Sequence, residues 1–185
     1  MRNQNVQMLY LFAFEINMHV RIARNMRQQN WEPPLKVSQI GSNSRLTELL
    51  GDAANGWTNH LAYLPVINED EPAKSPAVAD FVKWNRQLFP NGQIDLFPVN
   101  GWTAADLFAV ALRQMGPEVT RAKIIDVIGT KIKDHDGANG ISAPAFPSQG
   151  IATTCFVVVR VQGGKWVREH PATGYDCTTG ERVFY

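Results

Sequence analysis

Residues 99–117 read V-N-G-W-T-A-A-D-L-F-A-V-A-L-R-Q-M-G-P and hold a helix start, an apolar body and a stop in one run. Thr103 is placed to cap, and Asp106 three residues on completes an approximate capping box, with a carboxylate where a helix N-terminus favours negative charge. Leu107, Phe108, Ala111, Leu112 and Met115 fall on one stripe at three-to-four spacing, and Ala104, Ala105 and Val110 widen it. The pattern predicts a buried helix from Thr103 to Met115, ended by Gly116 and forbidden to continue by Pro117. A helix this apolar needs other layers to cover it.

Working back toward the N-terminus, Ile94 to Val99 reads as an extended lead-in. Before it, Ser75 caps a helix with Pro76 at its first position and an apolar face of Val78, Phe81, Val82 and Leu88, ended by Pro90 and Gly92. Val6 to Phe14 has the length and composition of a strand. Asn17 to Gln29 follows as a helix with Met18, Ile22, Ala23 and Met26 inward and Arg21, Arg24, Arg27 and Gln28 outward. Leu35 to Ile40 is a second strand, so the unit is βαβ and its strands are expected to be parallel neighbours. Arg45 to Leu50 is a short helix stopped by Gly51, Trp57 to Leu64 a third strand, and Pro65 to Pro76 a solvated loop carrying Glu69, Asp70 and Glu71.

Working forward, Thr120 caps a helix with a stripe of Ile124, Ile125, Ile128 and Ile132, and D-H-D-G-A-N-G closes it with an Asx-rich turn. Thr153 to Val161, the turn Q-G-G-K and Lys165 to Glu169 form an antiparallel ribbon, unlike the parallel units before it. The expected fold class is therefore α/β: parallel βαβ layers flanked by helices, with a C-terminal antiparallel ribbon.

The chain has 185 residues, 44% apolar and 19% charged, which allows a packed core and argues against disorder. A formal charge of +1 supplies no basic field for nucleic acid. No apolar run approaches the ~20 residues of a membrane span, and Glu15 interrupts the apolar start too early for a secretion signal, so no export signal is expected in this chain.

Motifs for catalysis are missing: no G-x-S-x-G, phosphate loop, H-E-x-x-H or C-x-x-C occurs. His19, His60, His135 and His170 are scattered without ligand spacing and read as surface or partly buried residues. D-H-D-G-A-N-G has Ala145 where a calcium loop needs a bidentate Glu. No metal or cofactor is expected. Open α/β sheets place ligands at the carboxyl ends of their strands, and three loops there carry suitable side chains. They are Phe14, Glu15 and Asn17; Ser38 and Gln39 with Ser42 and Asn43; and Phe97, Asn100 and Trp102. A carboxylate for an ammonium, amides and hydroxyls for a carboxylate and aromatic faces for an apolar body suit a small solute. Each residue taken alone also suits a cap or a core position.

The order βαβ, short helix with G-D-A-A-N-G, helix, G-W-T-A-A-D-L-F-x-x-A-L-R-x-x-G-P, T-R-A-K helix and the ribbon F-V-V-V-R-V-Q-G-G-K-W-V resembles the second half of an ABC-transporter solute-binding protein. The likeness is to the type I periplasmic binding fold of the branched-chain amino acid (leucine-binding) kind. It implies two α/β lobes closing on a ligand: residues 1–64 in the second lobe, 65–140 completing the first, and 141–185 returning to the second as crossover strand, ribbon and tail. It implies a non-enzymatic protein, periplasmic or extracellular, that binds an amino acid or related small molecule and delivers it to a membrane permease. Cleft contacts are implied at Phe14 to Asn17, Ser38, Gln39, Phe97 and Asn100. Gln39 stands where the resemblance expects an acidic partner for the ligand's amine, which leaves Glu15 as the alternative source of charge.

The resemblance lacks the family's first half, so the chain is expected to be a truncated product or fragment with an exposed apolar face on the Thr103 helix and a tendency to associate. Export of the parent family implies a disulfide between Cys155 and Cys177; a chain kept in the cytosol would hold them as free thiols. A ligand-sensing domain of a receptor with the same fold is the alternative reading. An enzyme would have to rest on Glu15 and His19, one helical turn apart.

Overall fold

A computed structural model describes residues 5–13, 15–40, 42–68 and 70–177. Its N-terminal unit is strand β1 (Met8–Leu11), helix α1 (Ile16–Gln28) and strand β2 (Leu35–Ser38), with β1 and β2 parallel and Tyr10 opposite Val37. Both strands are shorter than expected. The cap of α1 is Glu15, whose carboxylate accepts from the backbone N–H of Asn17 and Met18 at 3.1 and 2.9 Å. The helix is rotated from the expected stripe: His19, Val20, Ala23 and Met26 are buried, and Met18 is exposed. His19 sets the rotation, because its ring packs edge-on against the buried Trp57 at 6.5 Å.

Helix α2 (Ser44–Leu50), capped by Asn43, runs into a 3-10 turn at Gly51–Ala54 and then strand β3 (Trp57–Leu61), parallel to β2. Leu46, Leu50, Ala54 and Trp57 join the buried residues of α1 in one core. Helix α3 (Glu71–Lys74) and helix α4 (Pro76–Leu88) come next, the latter capped by Ser75 as expected. Val78 and Phe81 enter the core, while Leu88, in the last turn of α4, is exposed.

The acidic segment is not simply solvated. Glu71 is 1% exposed, and its carboxylate receives the Arg168 guanidinium at 3.2 and 2.5 Å. Arg168 also donates to the carbonyls of Pro171 and Gly174, both at 3.0 Å. A buried charge requires such pairing and saturation of its hydrogen bonds. Asp70 is exposed and paired with Lys74 at 2.6 Å, and Glu69 lies outside the described residues.

Helix α5 spans Leu96–Met115, starting well before Thr103. Asp95 is the cap, accepting from Phe97 N at 3.0 Å. Pro98 falls in the first turn, where a missing N–H costs no intrahelical bond, so nothing forces the segment to stay extended. Thr103 instead donates its hydroxyl to Val99 O inside the helix at 3.0 Å. Val99, Ala111 and Met115 are buried; Phe97 and Phe108 are exposed, so the helix is covered on one side only.

Helix α6 (Arg121–Asp126) is capped by Thr120 and continues as a π-helical turn, Val127–Lys131, closed by Ile132 N to Val127 O at 3.2 Å. The wider turn shifts the register, so Val127 and Ile132 pack on Ala111 and Met115 while Ile125 faces solvent, against the expected four-isoleucine stripe.

Strand β4 (Cys155–Gln162) pairs antiparallel with β3, Thr58 opposite Arg160, and with strand β5 (Lys165–His170). Gly163 and Gly164 turn the ribbon with φ of 56° and 76°, the left-handed pair a two-residue hairpin needs. Strand β6 (Asp176–Cys177) adds to the start of β4, and a disulfide joins the facing Cys155 and Cys177. The path β1-β2-β3-β4-β5 is a mixed sheet, with α1 and α2 on its core and the ribbon at its far side.

Candidate functional site

The carboxyl ends of β2 and β3 open into a cleft of about 470 Å³. One side is the end of β3 with Asn59, Leu61 and Tyr63, joined by Gln39 just past β2. The opposite side is the first half of α5, through Leu96, Asn100, Thr103, Ala104 and Leu107. The early start of α5 therefore matters, because it adds the turns that carry Leu96 and Asn100 to the cleft. His135, Ser142, Ala143, Ala145 and Thr153 close the remaining side.

That third side is held by a strained turn. Ala138 and Asn139 both adopt left-handed backbone, φ 61° and 59°, which a residue with a Cβ rarely takes. Asp136 accepts from Asn139 N at 3.2 Å, and Ser142 N donates to Gly137 O at 2.9 Å. Gly137 is required by space as well as by its φ of 73°, since a Cβ there would lie 1.9 Å from Ser142 O. The Tyr175 hydroxyl sits 2.7 Å from Ile141 O and 3.2 Å from Gly140 O, so the disulfide-tethered tail braces the turn from behind. Burial pushes the Tyr175 phenol well above the ordinary tyrosine range.

Two contacts fasten α5 to this side: Thr103 Oγ1 lies 2.8 Å from Ser142 Oγ, and His135 Nε2 lies 2.9 Å from Asp106 Oδ2. His135 Nδ1 accepts from Gly137 N at 3.3 Å, which makes Nε2 the donor to Asp106. Asp106, His135 and Asp136 converge closely enough to hold a metal ion. Both ring nitrogens of His135 are already committed, however, and one Asp136 oxygen serves the turn, so the His135–Asp106 pair acts as a strut between α5 and the turn. The sequence reading of the histidines is corrected at two positions, because His19 and His135 are buried.

The sequence-derived site residues separate into groups. Gln39 and Asn100 line the cleft, and Gln39 accepts from the Tyr10 hydroxyl. Glu15 and Phe97 line a smaller neighbouring pocket of about 330 Å³ together with Asp95 and Asn43, and the Glu15 carboxylate is engaged in capping α1. Ser38 is fully buried at the end of β2, its hydroxyl 3.4 Å from Ile40 N. Asn17 is exposed on the first turn of α1. Trp102 turns away from the cleft and packs edge-to-face on Phe81 at 5.7 Å, as a core residue. Phe14 lies outside the described residues.

Sequence reasoning missed Asn59, Tyr63, Thr103, His135 and Ser142 as cleft residues. Asn59 carried a usable signal, a carboxamide between Trp57 and Leu61 on the face of β3 that those two bury. It is 2% exposed, and neither its Nδ2 nor its Oδ1 has a partner. Tyr63 bonds Ser42 through its hydroxyl at 3.4 Å, and burial raises its pKa above 10.0.

Among curated proteins nothing matches this sequence. Solved structures do. A possible leucine/isoleucine/valine-binding protein from Rhodopirellula baltica SH 1 superposes with TM-score 0.67 at 18% identity, over 82% of this chain and 39% of its own. A leucine-binding protein from Thermotoga maritima MSB8 gives 0.67 at 21%, over 90% and 45%. An ABC-transporter solute-binding protein from R. palustris, in complex with benzoate, gives 0.66 at 16%, over 96% and 46%. Identities this low concern the fold, and the chain spans under half the length of these structures. The fold is that of a partial type I periplasmic binding protein, and a family model described as periplasmic binding protein matches residues 1–165. With the parallel unit, the cleft at its strand ends and most of the sequence all fitting one pattern, the chain belongs to the periplasmic binding protein family.

Proposed function

We propose that the chain is the ligand-binding part of an extracytoplasmic solute-binding protein of an ABC importer, taking an amino acid or similar small molecule into the cleft between β3 and α5. The observation that carries this reading is the cleft itself: it lies at the strand carboxyl ends, and its sides combine amides and hydroxyls with Leu61, Leu96 and Leu107. The function is capture, not turnover. Closure of the whole solute-binding protein about the cleft traps the solute, and the closed form is read by a membrane permease. The neighbours' printed ligands, branched-chain amino acids, a fatty acid and benzoate, give the range of solutes to try.

Thermal unfolding with a panel of amino acids, short fatty acids and aromatic acids tests the reading, since a ligand that binds only the folded chain raises the midpoint by mass action. At least one class is expected to raise it. Ala104→Trp, which fills the cleft from an exposed helical position, is expected to abolish that rise without lowering the unliganded midpoint. A rise that survives Ala104→Trp would place the solute elsewhere and overturn the assignment.

A further inference from the structure

The wall of the cleft that carries Ser142 and Ala143 lies outside the helices and strands. It is tied to the end of β3 by the bridge between Tyr63 and Ser142 and by two backbone bonds, Leu64 N to Ile141 O and Ala143 N to Ala62 O, both 2.8 Å. The turn leading into it stands on the left-handed residues Ala138 and Asn139, a geometry that persists only where its surroundings enforce it. Tyr175 supplies part of that support. Its hydroxyl donates to Ile141 O at 2.7 Å, the same carbonyl that takes Leu64 N.

What keeps Tyr175 there is chiefly covalent. Arg168 fixes Gly174, the residue before it. Among the described residues beyond it, β6 offers two pairings, Asp176 with Phe156 and Cys177 with Cys155, and Asp176 meets His170 in an exposed contact at 2.7 Å. So short a ladder and one exposed hydrogen bond are marginal by themselves. The disulfide spans 22 residues of sequence and denies the tail most of its open states. Cys177 is exposed and Cys155 half-buried, so the bond is open to a thiol from solvent.

We infer that the Cys155–Cys177 disulfide is a thiol-sensitive latch on the cleft, acting through Tyr175. Intact, it holds the Tyr175 hydroxyl on Ile141 O and so sets the wall that presents Ser142 and Ala143. A dithiol opens it by attacking Cys177 Sγ, expelling the Cys155 thiolate and then closing on itself to release Cys177. Two electrons and two protons pass to the protein, which ends with two thiols, and the reagent ends as its cyclic disulfide. The tail is then free to leave, and the wall loosens. That this weakens solute binding rests on the cleft being the solute site; the loosening itself does not.

Amide hydrogen exchange on the full chain, oxidised and after dithiothreitol, tests the latch without any solute. The amides of Leu64, Ser142 and Ala143 are expected to exchange about tenfold or more faster after reduction, with those of α1 unchanged. Tyr175→Phe with the disulfide intact is expected to give the same acceleration, and reduction to add little to it, because both act through one hydroxyl. No acceleration at the three amides, an equal rise in α1, or fully additive effects of reduction and Tyr175→Phe would each overturn the latch. Thermal shifts with benzoate and with leucine then read the cleft: a rise seen with the oxidised chain is expected to shrink on reduction, as for about tenfold weaker binding. An undiminished rise would overturn the link to solute. No rise with any member of the panel on the oxidised chain would overturn the proposed function and leave the latch standing or falling on the exchange result.

Discussion

At the scale of single residues, the strongest constraint away from the cleft is the buried pair Glu71–Arg168. It joins α3 to β5, and through the carbonyls of Pro171 and Gly174 it also fixes the bend that leads to β6. Removing one member strands the other's charge in the interior, so Arg168→Met is expected to cost about 3–5 kcal/mol in urea unfolding, and Glu71→Leu with Arg168→Met to recover most of it. Tyr63 and Tyr175 govern the alkaline limit. Burial raises both above the ordinary 10.0, so the folded chain keeps two protons that the unfolded chain releases. Their stabilisation is complete below that pH and is lost as pH climbs above it. Unfolding free energy should therefore fall steeply above about pH 10, and Tyr175→Phe should shallow the fall. Glu71 was illegible in the sequence because a solvated acid and a buried one look alike until the partner, far along the chain, is in place. Asn59 was readable in principle, as an amide where the strand pattern asked for an apolar side chain.

At the scale of elements, α5 gives the plainest test. Gly101 sits mid-helix, exposed, with nothing near the position of a Cβ. Gly101→Ala is expected to raise stability by about 0.8 kcal/mol, measured as a higher urea midpoint at unchanged slope. The body and end of this helix were legible because apolar spacing and Gly-Pro are strong local signals. Its start was not, because Thr103 and Asp106 imitate a capping box and Asp95 offers the same chemistry earlier. The parallel β1-α1-β2 unit, the α4 cap at Ser75 and the glycine hairpin were equally readable. The rotation of α1 and the π-helical turn after α6 were not, since each is set by what packs against the helix. The Cys155–Cys177 bridge was reachable only through the family resemblance, as two cysteines alone do not declare their state.

For the molecule as a whole, the balance of covered and open surface decides behaviour in solution. Leu88, Phe89 and Phe97 are 69%, 62% and 69% exposed, an unusual load of large apolar side chains in one chain. Sedimentation velocity should show association that grows with concentration, and Leu88→Gln, Phe89→Gln and Phe97→Gln together should suppress it without moving the thermal midpoint. A further consequence follows from the sheet order. Position 58 meets position 160, with α3 to α6 strung between them, so β3 acquires its outer neighbour only after that whole length has been gathered in. Closing so long a loop is entropically expensive before any contact rewards it. The local β1-α1-β2 unit is thus expected to form before β3 pairs with β4, read as earlier amide protection of β1 and β2 in pulsed hydrogen exchange. Until β4 arrives, the bare edge of β3 is the point at which a newly made chain is open to mispairing.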